Sequence, residues 1–251
     1  MLVRKAVVRG PGDRFSRCIS THPMRHTVDV ARAREQHAVY VEALEDLGLD
    51  IIRLDTDDDH PDSCFVEDTA VAHGGKALIC RPAEESRRGE VGAVEAALSR
   101  YMPVRRADEP ATVEGGDVLH MGERLVSGLT RRTNSEGVKQ LADWLEVKVD
   151  TVSDPAIMHL KSHVSHIRDG TVLVTRAFAG KPAFAGEERL IVPHGEDYAA
   201  NVLSVNGTAL MPTGFPKTRA LLEEEGVDVI VLEMTEFPKC DGAMTCLSIL
   251  L

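Results

Sequence analysis

Aromatic residues make up only 4% of this chain, and Trp occurs once. So few rings leave little on which bases could stack, which argues against a single-strand nucleic-acid binder. Positive charge is also short. The 29 Lys and Arg against 40 Asp and Glu give a formal charge of −11, which would repel a phosphate backbone. No apolar run approaches the ~20 residues a membrane-spanning helix needs. The opening MLVRKAVVRG has one short apolar stretch broken by charges, so no secretory leader is expected. The five cysteines (Cys18, Cys64, Cys80, Cys240, Cys246) contain no CxxC pair, which removes the zinc-ribbon and thioredoxin-like readings. Odd in number and irregularly spaced, they are expected as reduced thiols in a cytoplasmic protein.

What is present is a repeat. AVVRG (6–10) reads as a strand, 28–48 has apolar residues near helical spacing with Gly48 as a stop, and LDIIRL (49–54) reads as a second strand. The same unit then recurs: a polar residue, two strands around a Gly turn, a helix, and a third strand. Units open at Glu67, Glu114, His159, Asn201 and Cys246, at intervals of 47, 45, 42 and 45 residues. The last, CLSILL, is only begun, and AVVRG with the helix and strand after it would complete it. The expected fold is α/β: a single domain over 1–251, a ring of five units with no long sheet edge left open. Equivalent residues of the units would then point at one axis. Two carboxylates, an imidazole and a thiol are not what a packed core selects.

Each candidate has a bland reading beside the chemical one. Cys246 is either a small buried hydrophobe in a closing strand or a nucleophile that Gly242 and Thr245 present on a tight turn. HLKSHVSH offers three histidines. If the segment runs as a strand, His159 and His163 lie about 13 Å apart and cannot share one metal ion. Glu67 and Asp68, adjacent in the apolar strand CFVEDTAV, need a cation or donors if buried. With Asp62 and Glu114 they would form an acidic pocket for a guanidinium or ammonium, and Gly115 and Gly116 would let a ligand approach the backbone. The pairs Arg87–Arg88 and Arg131–Arg132 recur at like places before a helix. They are either solvated charges or a clamp for a carboxylate. Acids at one end and arginines at the other describe a zwitterion with a cationic side chain.

With VDVARAREQH, CFVEDTAV, RP…SRR, EGGDVL, GLTRRTN, HLKS and DGAMTCLSIL in this order, the chain resembles the dimethylarginine dimethylaminohydrolases. These belong to the pentein, or guanidino-group-modifying, superfamily. The resemblance implies a five-bladed α/β propeller that hydrolyses Nω-methylated L-arginine to L-citrulline and a methylamine, without cofactor or metal. It implies Cys246 as nucleophile, His159 as general acid and base, and Glu114 as support for the histidine and the guanidinium. Asp68 and Glu67 would meet the guanidino nitrogens or order their neighbours, and Arg87 and Arg132 the carboxylate. Asp62 and the backbone carbonyl of Cys240 would meet the α-ammonium. The family's lid, near residues 14–26, puts a main-chain contact at the position of Ser20, beside Ile19. The alternatives are a deiminase or amidinotransferase using the same thiol, a metal-dependent hydrolase built on HLKSHVSH, and a non-catalytic arginine-binding protein. A small-molecule substrate is expected, with neither nucleic acid nor membrane as partner, and a homodimer is left open.

Overall fold

The structure, a computed structural model, describes residues 2–251. Helix α1 (Val30–Asp46) joins strands β1 (Lys5–Arg9) and β2 (Asp50–Leu54). The Asp29 side chain caps its first turn by accepting from the Arg32 N–H, and Gly48 leaves it at φ 84°. The second unit holds β3 (Ala70–His73), β4 (Lys76–Ile79), α2 (Val91–Leu98) and β5 (Val104–Arg106). The third holds β6 (Val118–Met121), β7 (Arg124–Leu129), α3 (Ser135–Leu145) and β8 (Lys148–Ser153). The fourth, β9 (Val164–Arg168), β10 (Thr171–Val174) and β11 (Glu188–Ile191), has only a 3-10 turn, Pro182–Phe184, where the others have a helix. The fifth holds β12 (Leu203–Val205), β13 (Thr208–Pro212), α4 (Pro216–Glu224) and β14 (Asp228–Leu232), and β15 (Ile249–Leu250) follows.

These strands form five three-stranded sheets with one wiring. In each, the first strand pairs antiparallel with the second, and the second parallel with the third. The β15–β1–β2 sheet repeats that pattern with its first strand drawn from the far end of the chain: Ala6 faces Leu250 and Val7 faces Ile249. The expected closure of a five-bladed propeller is therefore observed.

The apolar residues do not collect at the centre. They form five clusters, each drawn from two neighbouring blades, such as Val7, Ile249, Ala77 and Ile79 between the first and second. Apolar burial thus seals blade to blade and leaves the axis to the first strands and the turns before them. One expectation changes here. Glu67–Asp68 and the HLKS segment are not strand: they lie at 3-10 turns, Val66–Thr69 and Leu160–Ser162, as does Cys246 in Thr245–Leu247. A 3-10 turn before each first strand re-aims the side chains that a strand would have sent to alternate faces.

Candidate active site

Cys246 is half-buried in the middle of its turn, its N–H on the Ala243 carbonyl at 3.2 Å. Asn201 braces that turn from the neighbouring unit. Its Oδ1 accepts from Thr245 N, and its Nδ2 donates to Thr245 Oγ1, both at 3.0 Å, and to the Lys161 carbonyl at 3.1 Å. Gly242 is required nearby, because a Cβ there would stand 2.3 Å from the Phe65 ring. Burial first, then the negative charges of Glu67 and Asp68, push the Cys246 thiol well above its ordinary value.

His159, buried ahead of its 3-10 turn, has Nε2 2.8 Å from Glu114 Oε2 and 3.7 Å from Asp68 Oδ1. Burial opposes its charge, but Asp68, Glu114 and Asp117 outweigh that and raise its pKa to about 9. The ring is therefore an imidazolium at neutral pH. Gly115 and Gly116 serve this packing rather than a ligand's approach. A Cβ on Gly116 would lie 2.7 Å from His159 Nδ1 and 2.8 Å from Asp68 Oδ1, and one on Gly115 would lie 2.0 Å from the Glu67 carbonyl oxygen.

The four acids do not share one pocket. Asp68 takes Arg87 Nη1 at 2.8 Å and the Gly116 N–H at 3.1 Å. Burial works against its charge, yet His159 and Arg87 hold its carboxyl down at about 2. Asp62 accepts the Ile19 N–H on both oxygens at 3.2 and 3.1 Å, and burial raises its pKa. Glu67 turns the other way: it takes Lys161 Nζ at 2.6 Å and Thr245 Oγ1 at 2.7 Å. It lines a second cavity of about 150 Å³, walled by residues of all five first strands, whose lining includes Lys161 and Thr245 but not Cys246.

The two arginines differ as well. All three Arg87 nitrogens are engaged, by both Glu90 oxygens, Asp68, and the carbonyls of Asp62 and Phe65. Arg132 Nη1 is buried, lies 3.2 Å from Glu84 Oε1 and 3.7 Å from Glu114 Oε1, and makes no hydrogen bond among the described residues. Arg88 sits apart, on Glu85 and the Pro82 carbonyl.

The cavity that holds Cys246 and His159 also has Asp62, Asp68, Arg87, Arg132 and Cys240 on its wall. Glu114 stands behind His159. Ile19, not Ser20, reaches the cavity, and Ser20 instead accepts the His22 N–H on Oγ. His163 stacks on Phe178 at 4.3 Å and His166 lies in β9, so HLKSHVSH does not gather its histidines. Asp68, Glu114 and His159 do offer atoms within 4.8 Å of one another, a spacing that could hold a metal ion. Arg87 and the imidazolium already supply positive charge there.

The reduced-thiol expectation fails for one pair. Cys18 and Cys240 form a disulfide with Cα atoms 5.7 Å apart across 222 residues of sequence, a proximity that spacing cannot reveal. Two further residues, whose local sequence does not mark their partners, shape the site. Lys161, in HLKS, neutralises Glu67. Asp117, in EGGD, accepts the Leu160 N–H at 2.9 Å and the Thr130 hydroxyl at 2.7 Å, which fixes the backbone beside His159. Among the described residues no helix is long and apolar enough to cross a membrane.

Residues 13–173 match the family model for N,N dimethylarginine dimethylhydrolase, eukaryotic. An N(G),N(G)-dimethylarginine dimethylaminohydrolase of Streptomyces coelicolor is 39% identical over 251 residues, 98% of this chain and 96% of that protein. The protein of the same name from Pseudomonas aeruginosa is 37% identical over 226 residues, 88% and 89%. A structure of a mutant Pseudomonas aeruginosa enzyme complexed with citrulline superposes with TM-score 0.97, 33% identity and full coverage of both chains. A dimethylarginine dimethylaminohydrolase adduct with S-methyl-L-thiocitrulline superposes with TM-score 0.96 at 33% identity, again over both whole chains. The N-terminal domain of a cyanobacterial arginine dihydrolase shares the fold at 22% identity, TM-score 0.89.

Proposed function

This chain belongs to the dimethylarginine dimethylaminohydrolase family and is a hydrolase, and we propose that it converts Nω-methylated L-arginine to L-citrulline and a methylamine through a covalent Cys246 intermediate. One observation carries the reading: a thiol, an imidazolium paired to a buried carboxylate, two further acids and an arginine with a free donor meet in one cavity. The relatives solved with citrulline and as a thiocitrulline adduct support the ligand class.

The resting thiol is neutral, because burial and nearby carboxylates disfavour its anion. A substrate guanidinium beside Asp68 supplies the missing positive charge, so the thiol loses its proton to solvent as substrate binds. The thiolate attacks the guanidinium carbon. His159, already protonated, delivers its proton to the departing methylated amine as the C–N bond breaks, leaving a thiouronium. The same imidazole, now neutral, takes a proton from water, which adds to the carbon. The C–S bond then breaks as the hydroxyl proton passes to the departing sulfur, and citrulline and the neutral Cys246 thiol separate. Asn201 and the Glu67–Lys161 pair hold the turn beneath Cys246, and Asp62 with the Cys240 backbone faces the α-ammonium. No metal takes part, and the setting is cytoplasmic.

The deciding assay gives chelator-treated protein dimethylarginine, monomethylarginine and arginine in parallel and reads citrulline. The expected result is product from the methylated substrates, little from arginine, and no rate change on metal removal. Citrulline mainly from arginine would assign a deiminase, and restoration of activity by added zinc would assign the metal hydrolase. A methyl-sized difference in a pocket is worth only ~1–3 kcal/mol, so the ratio must be measured.

The two arginines should also separate kinetically. Replacing Arg132 with Ala removes a charge-assisted contact worth ~1.5–3 kcal/mol, so KM should rise roughly 10–100-fold with kcat nearly kept. Arg87→Ala should instead lower the melting temperature, because Asp68 and Glu90 lose their buried counter-charge, a change of ~3–5 kcal/mol. A KM effect of Arg87→Ala without loss of stability would reverse the assignment.

A further inference from the structure

Arg87 lies between two carboxylates. Its Nη1 donates to Asp68 Oδ2 at 2.8 Å, and its Nε and Nη2 donate to Glu90 at 3.0, 3.2 and 2.9 Å. Asp68 and Arg87 are on the wall of the Cys246 cavity, whereas Glu90 is not. Glu90 is only 1% exposed, so its charge is met by protein groups alone. Burying such a charge is costly, and the mechanism above gives it no task.

The local fold builds the contact. Glu90 ends a 3-10 turn, Glu85–Glu90, that leads straight into α2. Gly89 lets this turn press against His60, because a Cβ there would stand 2.1 Å from His60 Nε2. With three residues per turn, Glu90 comes to lie over Arg87, three positions earlier. From the neighbouring blade, Arg9 of β1 donates Nη1 to the Glu90 carbonyl at 3.4 Å and is itself 3.9 Å from Asp57.

Charge balance gives Glu90 its effect. At the end of the cavity that Asp68 lines, the cations are His159 and Arg87, and the carboxylates are Asp68, Glu114 and Glu90. With all of these charged, one negative charge is left over to attract a cation. With Glu90 neutral, Arg87 cancels Asp68 and His159 cancels Glu114. We propose that Glu90 is a positioning residue for cation recognition: it neutralises Arg87 and fixes its guanidinium plane, so that Asp68 keeps its negative charge for the substrate guanidinium. The identity of that substrate rests on the functional reading above, whereas the charge balance does not. Burial pushes the Glu90 carboxyl up to about 7; Arg87 opposes the rise, and Asp62 and Asp68 add to it. Arg9 and Cys64 complete its surroundings, and burial keeps the Cys64 thiol neutral.

Two ligands with the same amino-acid head separate this role from a general loss of structure. Dimethylarginine has a cationic side chain and citrulline a neutral one, so damage at Arg132 or Asp62 would weaken both. Calorimetry compares their binding to Cys246→Ala protein, alone and combined with Glu90→Gln or Glu90→Asp. Gln keeps the shape of Glu90 and loses its charge, and Asp keeps the charge. Removing one charge at roughly 10 Å, in an interior of effective dielectric about 20, weakens a bound cation by on the order of tenfold. The dimethylarginine Kd is therefore expected to rise about tenfold in Glu90→Gln, with the citrulline Kd held within about twofold and Glu90→Asp recovering most of the loss. Lowering the pH of the Cys246→Ala protein from about 8 to about 6 protonates Glu90 and should weaken dimethylarginine selectively in the same way, a step that Glu90→Gln should lack. That arm needs no Glu90 variant, so it decides the matter if Glu90→Gln does not fold. Equal weakening of both ligands, or of neither, overturns the proposal while leaving the functional reading in place. If Cys246→Ala protein binds neither ligand, the functional reading falls with it.

Discussion

Cys246→Ala should abolish citrulline formation, by a factor on the order of 10⁴ or more, and leave the protein folded. The size follows from the chemistry. No other thiol is positioned to replace it: Cys64 and Cys80 are fully buried with their pKa values raised, and Cys18 and Cys240 are bonded to each other. The fold should survive because the turn is built from other atoms. The backbone bond to Ala243 remains, and Asn201 still holds Thr245 on both sides. Leu247 keeps its place in the cluster between the last blade and the first. With Asp68, Asp62 and Arg132 intact, unreacted dimethylarginine should still bind, which titration calorimetry would read. Retention of more than one per cent of the wild-type rate would remove Cys246 from the role of nucleophile. Loss of the melting transition would show that the turn depends on the side chain after all.

The sequence carried the architecture in its spacing. Strand, glycine turn, strand and helix leave local marks, such as Gly48 after α1, and a period of about 45 residues made the five opening positions comparable before any contact was known. The ring's closure was legible for the same reason: a lone first strand at CLSILL needs partners, and only AVVRG was unclaimed. The directions of individual side chains were harder to read. Adjacent Glu67 and Asp68 read as one acidic pair, but they lie in a 3-10 turn and line different cavities. Their different cations, Lys161 and Arg87, lie 94 and 19 residues away. The two arginine pairs looked equivalent by position. Only the packing of Glu90 under Arg87 makes one arginine a strut and leaves the other with a donor to offer. The Cys18–Cys240 bond is the extreme case, since nothing within either segment marks the other as its partner.

The same distinction between position and surroundings separates the histidines. His159→Ala is expected to lower turnover by ~10²–10⁴-fold, the range of a positioned acid or base, whereas His163→Ala should change it little. His163 packs on Phe178 and touches Thr175, away from the thiol, and burial lowers its pKa. In the proposed mechanism His159 works as an acid first, so its proton must be in place when the amine leaves. With its pKa at about 9, turnover should hold through neutral pH and fall as pH rises through that value. The groups that set this limit are Asp68, Glu114 and Asp117 around the ring, with Arg87 and Arg132 beyond them acting in the opposite sense. Stability carries the same signature. A histidine whose folded pKa is raised above its ordinary 6.5 contributes stability that is complete below that value and is lost as pH climbs to about 9. Wild-type protein should therefore lose melting temperature between pH 6.5 and 9, and His159→Ala should lose less over that window. Equal losses of turnover in the two variants, or a wild-type basic limb unchanged in His159→Ala, would take the acid–base role away from His159 and leave Glu114 holding a merely structural partner.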